Sequence, residues 1–281
     1  MSSRRNKDKP DKAPKTPFVA RPFAGLADET TWVALREVVP AATAPLRLKG
    51  SGVEVTLSTV LPMAWPGMVT ADGRRFLGLQ VGSRSGDASR DLAHVLLQVV
   101  QAAPGTSVLA NELPGPGARL QDLLVEGPLD VTIHAGFDYW VEGADDEDGE
   151  IAASMERANT AVVPTVRLES VDSAYWCRMR ERSHLRWILP ESEDALLDAL
   201  ARLSVAGGLS LGDDTRYVGS FRAHGLLVPV WDLPLATEAA LMEEPALAFR
   251  ARLDEALAGG PLTGEQRRAR SGLLSRQLTL R

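Results

Sequence analysis

Two stretches of the chain carry apolar residues at the three-to-four-residue spacing of an amphipathic helix. The first is predicted to span about 87–103, with Asp87 as its N-cap, and the second about 191–206. Gly207-Gly208 follows the second helix, as expected for a helix end. The two apolar stripes consist of Leu92, Val95, Leu96, Val99, Val100 and Ala103, and of Leu196, Leu197, Leu200 and Leu203.

Extended segments precede and follow each helix, with the runs 130–141 and 216–232 closing the two halves, and the two halves of the chain resemble each other. Displacing the sequence by 111 positions superimposes Trp65 on Trp176 and Val55 on Val166 without a gap. Tryptophan is rare, so its match weighs more than the aliphatic ones. We therefore predict an α+β fold with two pseudo-repeated strand-strand-helix-strand units packed together, which have the same strand order.

Helices are predicted at both ends of this pair of units. Thr30 or Thr31 is the predicted N-cap of a short first helix, and Thr263 with Gln266 forms a capping box for a last helix through about 278. The predicted parts are a disordered basic tail at 1–20, a first α+β unit at 21–141, an acidic linker at 142–160, a second α+β unit at 161–235 and C-terminal helices at 236–281.

Charge is unevenly distributed along the chain. Residues 1–25 hold seven Lys/Arg and two Asp, a net charge of +5, so the total of −6 leaves −11 on the rest. Four prolines and few apolar residues predict that the tail stays disordered. The run at 142–150 holds six acids without a base, and its spacing does not fit a calcium-binding loop. A basic tail can bind nucleic acid or an acidic surface, or simply aid solubility.

Composition restricts the class of protein. The chain is 44% hydrophobic, enough for a sizeable core, yet no apolar run has the length of a membrane span. Its single cysteine, Cys177, excludes an internal disulfide and a multi-cysteine zinc site. No apolar segment follows the basic N-terminus as in a signal peptide. We therefore expect a soluble cytoplasmic protein without membrane contact.

Several segments resemble an uncharacterised family of actinobacterial proteins. The resemblance rests on Arg21–Leu26, Trp32–Thr43, Thr59–Pro66 and Ser85–Ala93, and it covers nearly the whole chain after the tail. Some similar proteins carry an N-terminal zinc-binding module of the SecA type, which needs several cysteines. That region has no cysteine here, so zinc is not inferred. The resemblance implies a domain of unknown function and no reaction.

Familiar catalytic motifs are absent from the sequence. Gly82–Gly86 precedes a helix but lacks the Gly-Lys-Ser/Thr of a phosphate-binding loop. Cys177 alternates with Tyr175 and Met179 on one strand face, which favours a buried, inert thiol over a nucleophile paired with His184. The four histidines are scattered, although His134 and Asp138 share a strand parity. No catalytic residue, metal or cofactor is assigned.

A basic hairpin at 176–187 is the most informative candidate. Trp176, Arg178 and Arg180 are predicted to share one face, with Arg182, His184 and Arg186 near the turn and return strand. Arginines beside aromatic rings can hold phosphates and stack on bases. Alternatively, these arginines form a solvated face and pair with nearby acids.

The sequence favours a non-catalytic binding or adaptor protein that docks on a charged macromolecular partner. The sequence does not identify the partner. An acidic protein surface and nucleic acid are the two candidates. A nucleic-acid- or ribosome-associated role of the hairpin 176–187 is the second hypothesis. An enzyme with an unrecognised site is the third.

Overall fold

The computed structural model describes residues 17–82, 84–109, 113–141 and 150–275. Seven α-helices and two sheets lie in these ranges, which confirms the α+β class. The helices are α1 (Glu29–Glu37), α2 (Ala88–Gln101), α3 (Leu120–Leu123), α4 (Glu150–Asn159), α5 (Glu193–Val205), α6 (Glu243–Leu257) and α7 (Gly264–Ser275). Short 3₁₀ turns lie at Pro62–Ala64, Asp138–Trp140 and Ala239–Met242.

Each half of the chain contributes one sheet. The first, of mixed direction, has the order β5-β3-β4-β2-β1-β6, and the second is antiparallel with the order β10-β11-β9-β8-β7. Strands of the first sheet are β1 (Ala42–Leu46), β2 (Val55–Ser58), β3 (Gly67–Val69), β4 (Arg75–Gly78), β5 (Thr106–Val108) and β6 (Thr132–Ile133). Strands of the second are β7 (Thr165–Arg167), β8 (Ala174–Met179), β9 (Arg182–Trp187), β10 (Arg216–Ala223) and β11 (Leu226–Leu233).

The two sheets do not repeat one strand order. The displacement of 111 residues relates β2, β3 and β4 to β7, β8 and β9. In the first sheet β4 lies between β3 and β2, whereas in the second β8 lies between β9 and β7. In addition, β2 runs parallel to β4, but β7 runs antiparallel to β8. The predicted equality of strand order is therefore wrong, and the gapless sequence match does not extend to the strand pairing.

Predicted caps form at the beginnings of two helices, α2 and α7. The Asp87 carboxylate accepts the backbone N–H groups of Ser89 and Arg90, as expected for the N-cap of α2. The Thr263 and Gln266 side chains each accept the other residue's backbone N–H, so the capping box forms at α7. The first helix differs from its prediction, because α1 begins after Asp28 and not at Thr30 or Thr31.

Other segments also depart from the prediction. Val19 donates its backbone N–H to Gly86, so the structured part of the chain reaches into the predicted tail, whose residues 1–16 lie outside the described ranges. Helix α4 occupies much of the predicted acidic linker, of which 142–149 are not described. The run 130–141 forms only the two-residue β6 and a 3₁₀ turn.

Two hydrophobic cores share the second sheet. One core combines α1, α2 and the inner face of the first sheet with Tyr175, Phe221 and Val228 of the second. The other lies on the opposite face of the second sheet, where Trp187 and Trp231 pack against α5, α6 and α7. Since the first core contains side chains from both halves, residues on either side of the predicted linker stabilise each other. The predicted division of the chain into units stays a prediction.

Candidate functional site

The strand-to-helix loop at Gly82–Gly86 is closed by the protein's own carboxylate. Asp91 accepts the backbone N–H groups of Arg84 and Ser85 at 2.8 and 3.2 Å. Asp87 occupies the N-terminus of α2 and lies 2.9 Å from the Arg119 guanidinium. The N–H groups of Arg84 and Ser85 are thus bound to an internal acceptor, and Ser83 is not described. The loop therefore has the geometry of a capped turn.

The Cys177 thiol is buried and has no catalytic geometry. The residue is 1% exposed, and burial raises the pKa of its thiol, so the reactive thiolate is disfavoured at neutral pH. His184 lies directly opposite on β9, but it contacts the sulfur through its backbone. The expected buried cysteine is confirmed.

The predicted neighbours His134 and Asp138 bind different partners. His134 Nε2 lies 2.8 Å from the Thr43 hydroxyl and its ring packs on Tyr139, whereas Asp138 accepts the Asn159 amide. The other three histidines, His94, His184 and His224, also lie beside different partners and not beside one another. Nowhere in the described ranges do three metal-ligating side chains gather. None of the described helices is long and apolar enough to cross a membrane.

The basic hairpin forms as β8 and β9, but its arginines lie on two faces. Trp176 is 3% exposed and donates its indole N–H to the Thr237 carbonyl. Arg178 stacks over the Trp176 ring at 4.9 Å and pairs with Glu238 at 2.9 Å. Both residues face the second core, where neighbouring groups already bind them. Arg180 lies in the exposed turn with a φ of 48°.

Arg182, His184 and Arg186 lie on the opposite face, together with Arg216 and Asp232, which the sequence analysis did not select. Strand pairing places His184 directly opposite Asp232 on β11, and Asp232 directly opposite Arg216 on β10. We call Arg182, His184, Arg186, Arg216 and Asp232 the arginine surface. Strand β9 and the later hairpin of β10 and β11 build it together, so the hairpin 176–187 alone could not reveal it.

Asp232 is the centre of the arginine surface. Its Oδ2 lies 2.8 Å from Arg182 Nη1 and 2.8 Å from Arg216 Nη2, and its Oδ1 lies 3.0 Å from His184 Nδ1. Partial burial raises the pKa of Asp232. The hydrogen bond from Arg216 and the charges of His184 and Arg182 together have the larger, opposite effect, so the pKa lies below its ordinary value. The carboxylate is therefore ionised at neutral pH.

The arginines around Asp232 remain accessible. The Arg182 and Arg216 side chains are 62% and 70% exposed, although each contacts the carboxylate. Arg186 reaches across the face to the Met179 sulfur at 3.0 Å and, among described residues, has no carboxylate within ion-pair distance. Two guanidinium groups thus share one carboxylate and the third has none, which leaves an excess of two positive charges on this face.

Acidic side chains limit the extent of this positive charge. Glu181 lies in the turn beside Arg182, and the exposed Asp213 and Asp214 directly precede Thr215 and Arg216. Arg178 is paired with Glu238. The excess charge is therefore confined to a small area, and the chain beyond residue 25 carries −11.

Most of the chain matches one protein family. Residues 22–281 match a family of unknown function, DUF5926. The chain belongs to this family. The match confirms the expected resemblance to a domain of unknown function, while an actinobacterial origin stays a prediction. No curated protein and no solved structure matches the chain.

Proposed function

We propose that this DUF5926 protein is a cytoplasmic, non-catalytic binding protein that docks on an acidic protein surface. The observation that supports the proposal is the arginine surface, where Arg182 and Arg216 share the single carboxylate of Asp232 and Arg186 has no carboxylate partner among the described residues. Arginine is enriched in the centres of protein interfaces, because its planar fork binds carboxylates with two parallel hydrogen bonds. An incoming carboxylate meets exposed Arg182 and Arg216 here.

The confined charge favours an acidic protein over nucleic acid. A nucleic acid carries phosphates along its whole length, and several must be neutralised for appreciable affinity. Any extension beyond the arginine surface meets Glu181, Asp213 or Asp214 and the acidic remainder of the chain. In addition, Trp176 is buried and offers no ring for base stacking. A partner with a local group of carboxylates avoids this repulsion.

The experiment measures binding of the full chain to three rhodamine-labelled probes by fluorescence anisotropy. The probes are an octa-aspartate peptide, a 12-nucleotide RNA and a DNA of the same length, each at several salt concentrations. The test variant is R182Q/R186Q/R216Q. The control variant R47Q/R157Q/R268Q removes the same charge from three exposed arginines elsewhere.

We expect the wild type to bind octa-aspartate and the test variant to bind it at least about tenfold more weakly, a loss of about 1.4 kcal/mol. The control variant should lose much less. Equal losses in both variants, or no wild-type binding at low salt, would overturn the proposal. Tighter binding of RNA or DNA that depends on the same three arginines would establish the nucleic-acid hypothesis instead.

A further inference from the structure

His184 is the one group of the arginine surface whose charge can change near neutral pH. It lies on β9 between Arg182 and Arg186, on the same face, and its imidazole is 18% exposed. Nδ1 lies 3.0 Å from Asp232 Oδ1, and Nε2 is the ring nitrogen that does not contact that carboxylate. Nε2 has no hydrogen-bond partner among the described residues.

The charged and titratable groups around His184 come from its own strand, from β11 and β8 on either side, and from β10 beyond β11. Strand β9 supplies Arg182 and Arg186, β11 supplies Asp232, and β10 supplies Arg216. Strand β8 supplies the buried Cys177, which is neutral because its pKa is raised. Burial lowers the pKa of His184, the Asp232 carboxylate opposes this effect, and Arg186 and Arg182 lower the pKa further. His184 is therefore neutral in the free protein at pH 7.5.

A bound carboxylate changes this balance. It brings negative charge next to Arg182 and Arg186, the two groups that disfavour the imidazolium. It also provides an acceptor for the Nε2 proton. Protonated His184 in turn binds Asp232 more strongly. Asp232 then neutralises less of the charge of the arginines, and more of that charge attracts the partner. Binding and protonation therefore favour each other.

We propose that the arginine surface binds its acidic partner with uptake of one proton at His184. This inference rests on the proposed function and adds that binding is regulated by pH. Linkage requires that uptake of one proton strengthens binding by at most about tenfold for each unit that the pH falls. We expect binding to strengthen as the pH falls from 7.5 to 5.5, the range in which an imidazole titrates.

The test repeats the octa-aspartate titration with the full chain at four pH values between 5.5 and 7.5. Dextran sulfate serves as a second probe, because its charge is constant over this range. The variants are His184→Gln, which cannot take up the proton, and His184→Lys, which holds a positive charge throughout. His94→Gln is the control, since His94 contacts Gln98 on α2. Circular dichroism checks that each variant is folded at each pH.

We expect wild type and His94→Gln to bind both probes at least threefold more tightly at pH 5.5 than at pH 7.5. His184→Gln should bind weakly and His184→Lys tightly at both pH values. The inference is overturned if binding of the wild type is independent of pH, or if His184→Gln keeps the wild-type slope. Absence of binding at every pH would instead refute the proposed function.

Discussion

Asp232→Asn isolates the contribution of the central carboxylate. The substitution keeps the size of the side chain and one acceptor oxygen but removes the charge shared by Arg182, Arg216 and His184. If Asp232 competes with the partner for the arginines, its removal has two opposite effects. The folded state loses ion pairs, while the surface gains a positive charge where the partner binds.

The cost in stability is small because the arginines are exposed. Side chains that are 62% and 70% exposed form ion pairs of about 0.2–1 kcal/mol each. Two such pairs contribute about 1 kcal/mol together, which for a chain of this size lowers the melting temperature by about 2–3 °C. The retained amide oxygen keeps part of the hydrogen bonding and reduces the loss.

The gain in binding follows from Coulomb's law. A unit charge at about 7 Å from a partner carboxylate in water contributes about 0.6 kcal/mol, or about threefold in the dissociation constant. Asp213→Asn is the matched control, because it removes the same charge from an exposed loop residue that lies beside the arginine surface. We expect a smaller gain in binding from this control and no change in melting temperature.

Thermal unfolding and octa-aspartate anisotropy on the same preparations provide the two measurements. We expect Asp232→Asn to melt at a slightly lower temperature and to bind the peptide more tightly. Weaker binding by Asp232→Asn would refute competition between Asp232 and the partner, since Asp232 would then be required to hold the arginines in place. Equal gains from both variants would show that net charge alone determines the affinity.

Three further predictions concern the fold. Gly67→Ala should lower the free energy of unfolding by about 1–3 kcal/mol in a denaturant titration, because the new Cβ would lie 2.4 Å from a Val99 methyl, whereas Gly52→Ala meets open space. Burial raises the pKa of Tyr175 to about 12, so stability should fall as pH rises from about 10 to 12, and Tyr175→Phe should remove about 2–3 kcal/mol of that loss. Thr263→Ala should lower stability by about 1 kcal/mol by calorimetry, and an unchanged melting temperature would exclude the cap.

Local signals predicted the helices well. The N-cap Asp87 and the capping box of α7 depend on residues within three positions of each other, so sequence spacing alone specifies them. The run 130–141 was different. Its alternation resembles a strand, but the indole of Trp140 donates to the Val60 carbonyl and the chain turns there. A contact between residues 80 positions apart decided that segment.

The arginine surface could be predicted only in part, for the same reason. Arg182 and Arg186 were visible as members of a basic hairpin, but Arg216 and Asp232 join them through the pairing of β9 with β11 and of β11 with β10. One signal was available in the sequence. Asp232 is a charged residue inside the otherwise apolar run of β11, where an acid needs a partner across the sheet.

Burial of apolar side chains determines which face the arginines occupy. Leu185 and Trp187 alternate with Arg182, His184 and Arg186 along β9, and a slip of one residue would exchange the two faces. Full burial of each apolar side chain contributes about 1.5–3 kcal/mol, whereas an exposed ion pair contributes about 1 kcal/mol or less. Leu185 and Trp187 are at most 1% exposed. The second core therefore fixes the register, and the arginines are directed to the opposite face of the sheet as a consequence of that packing.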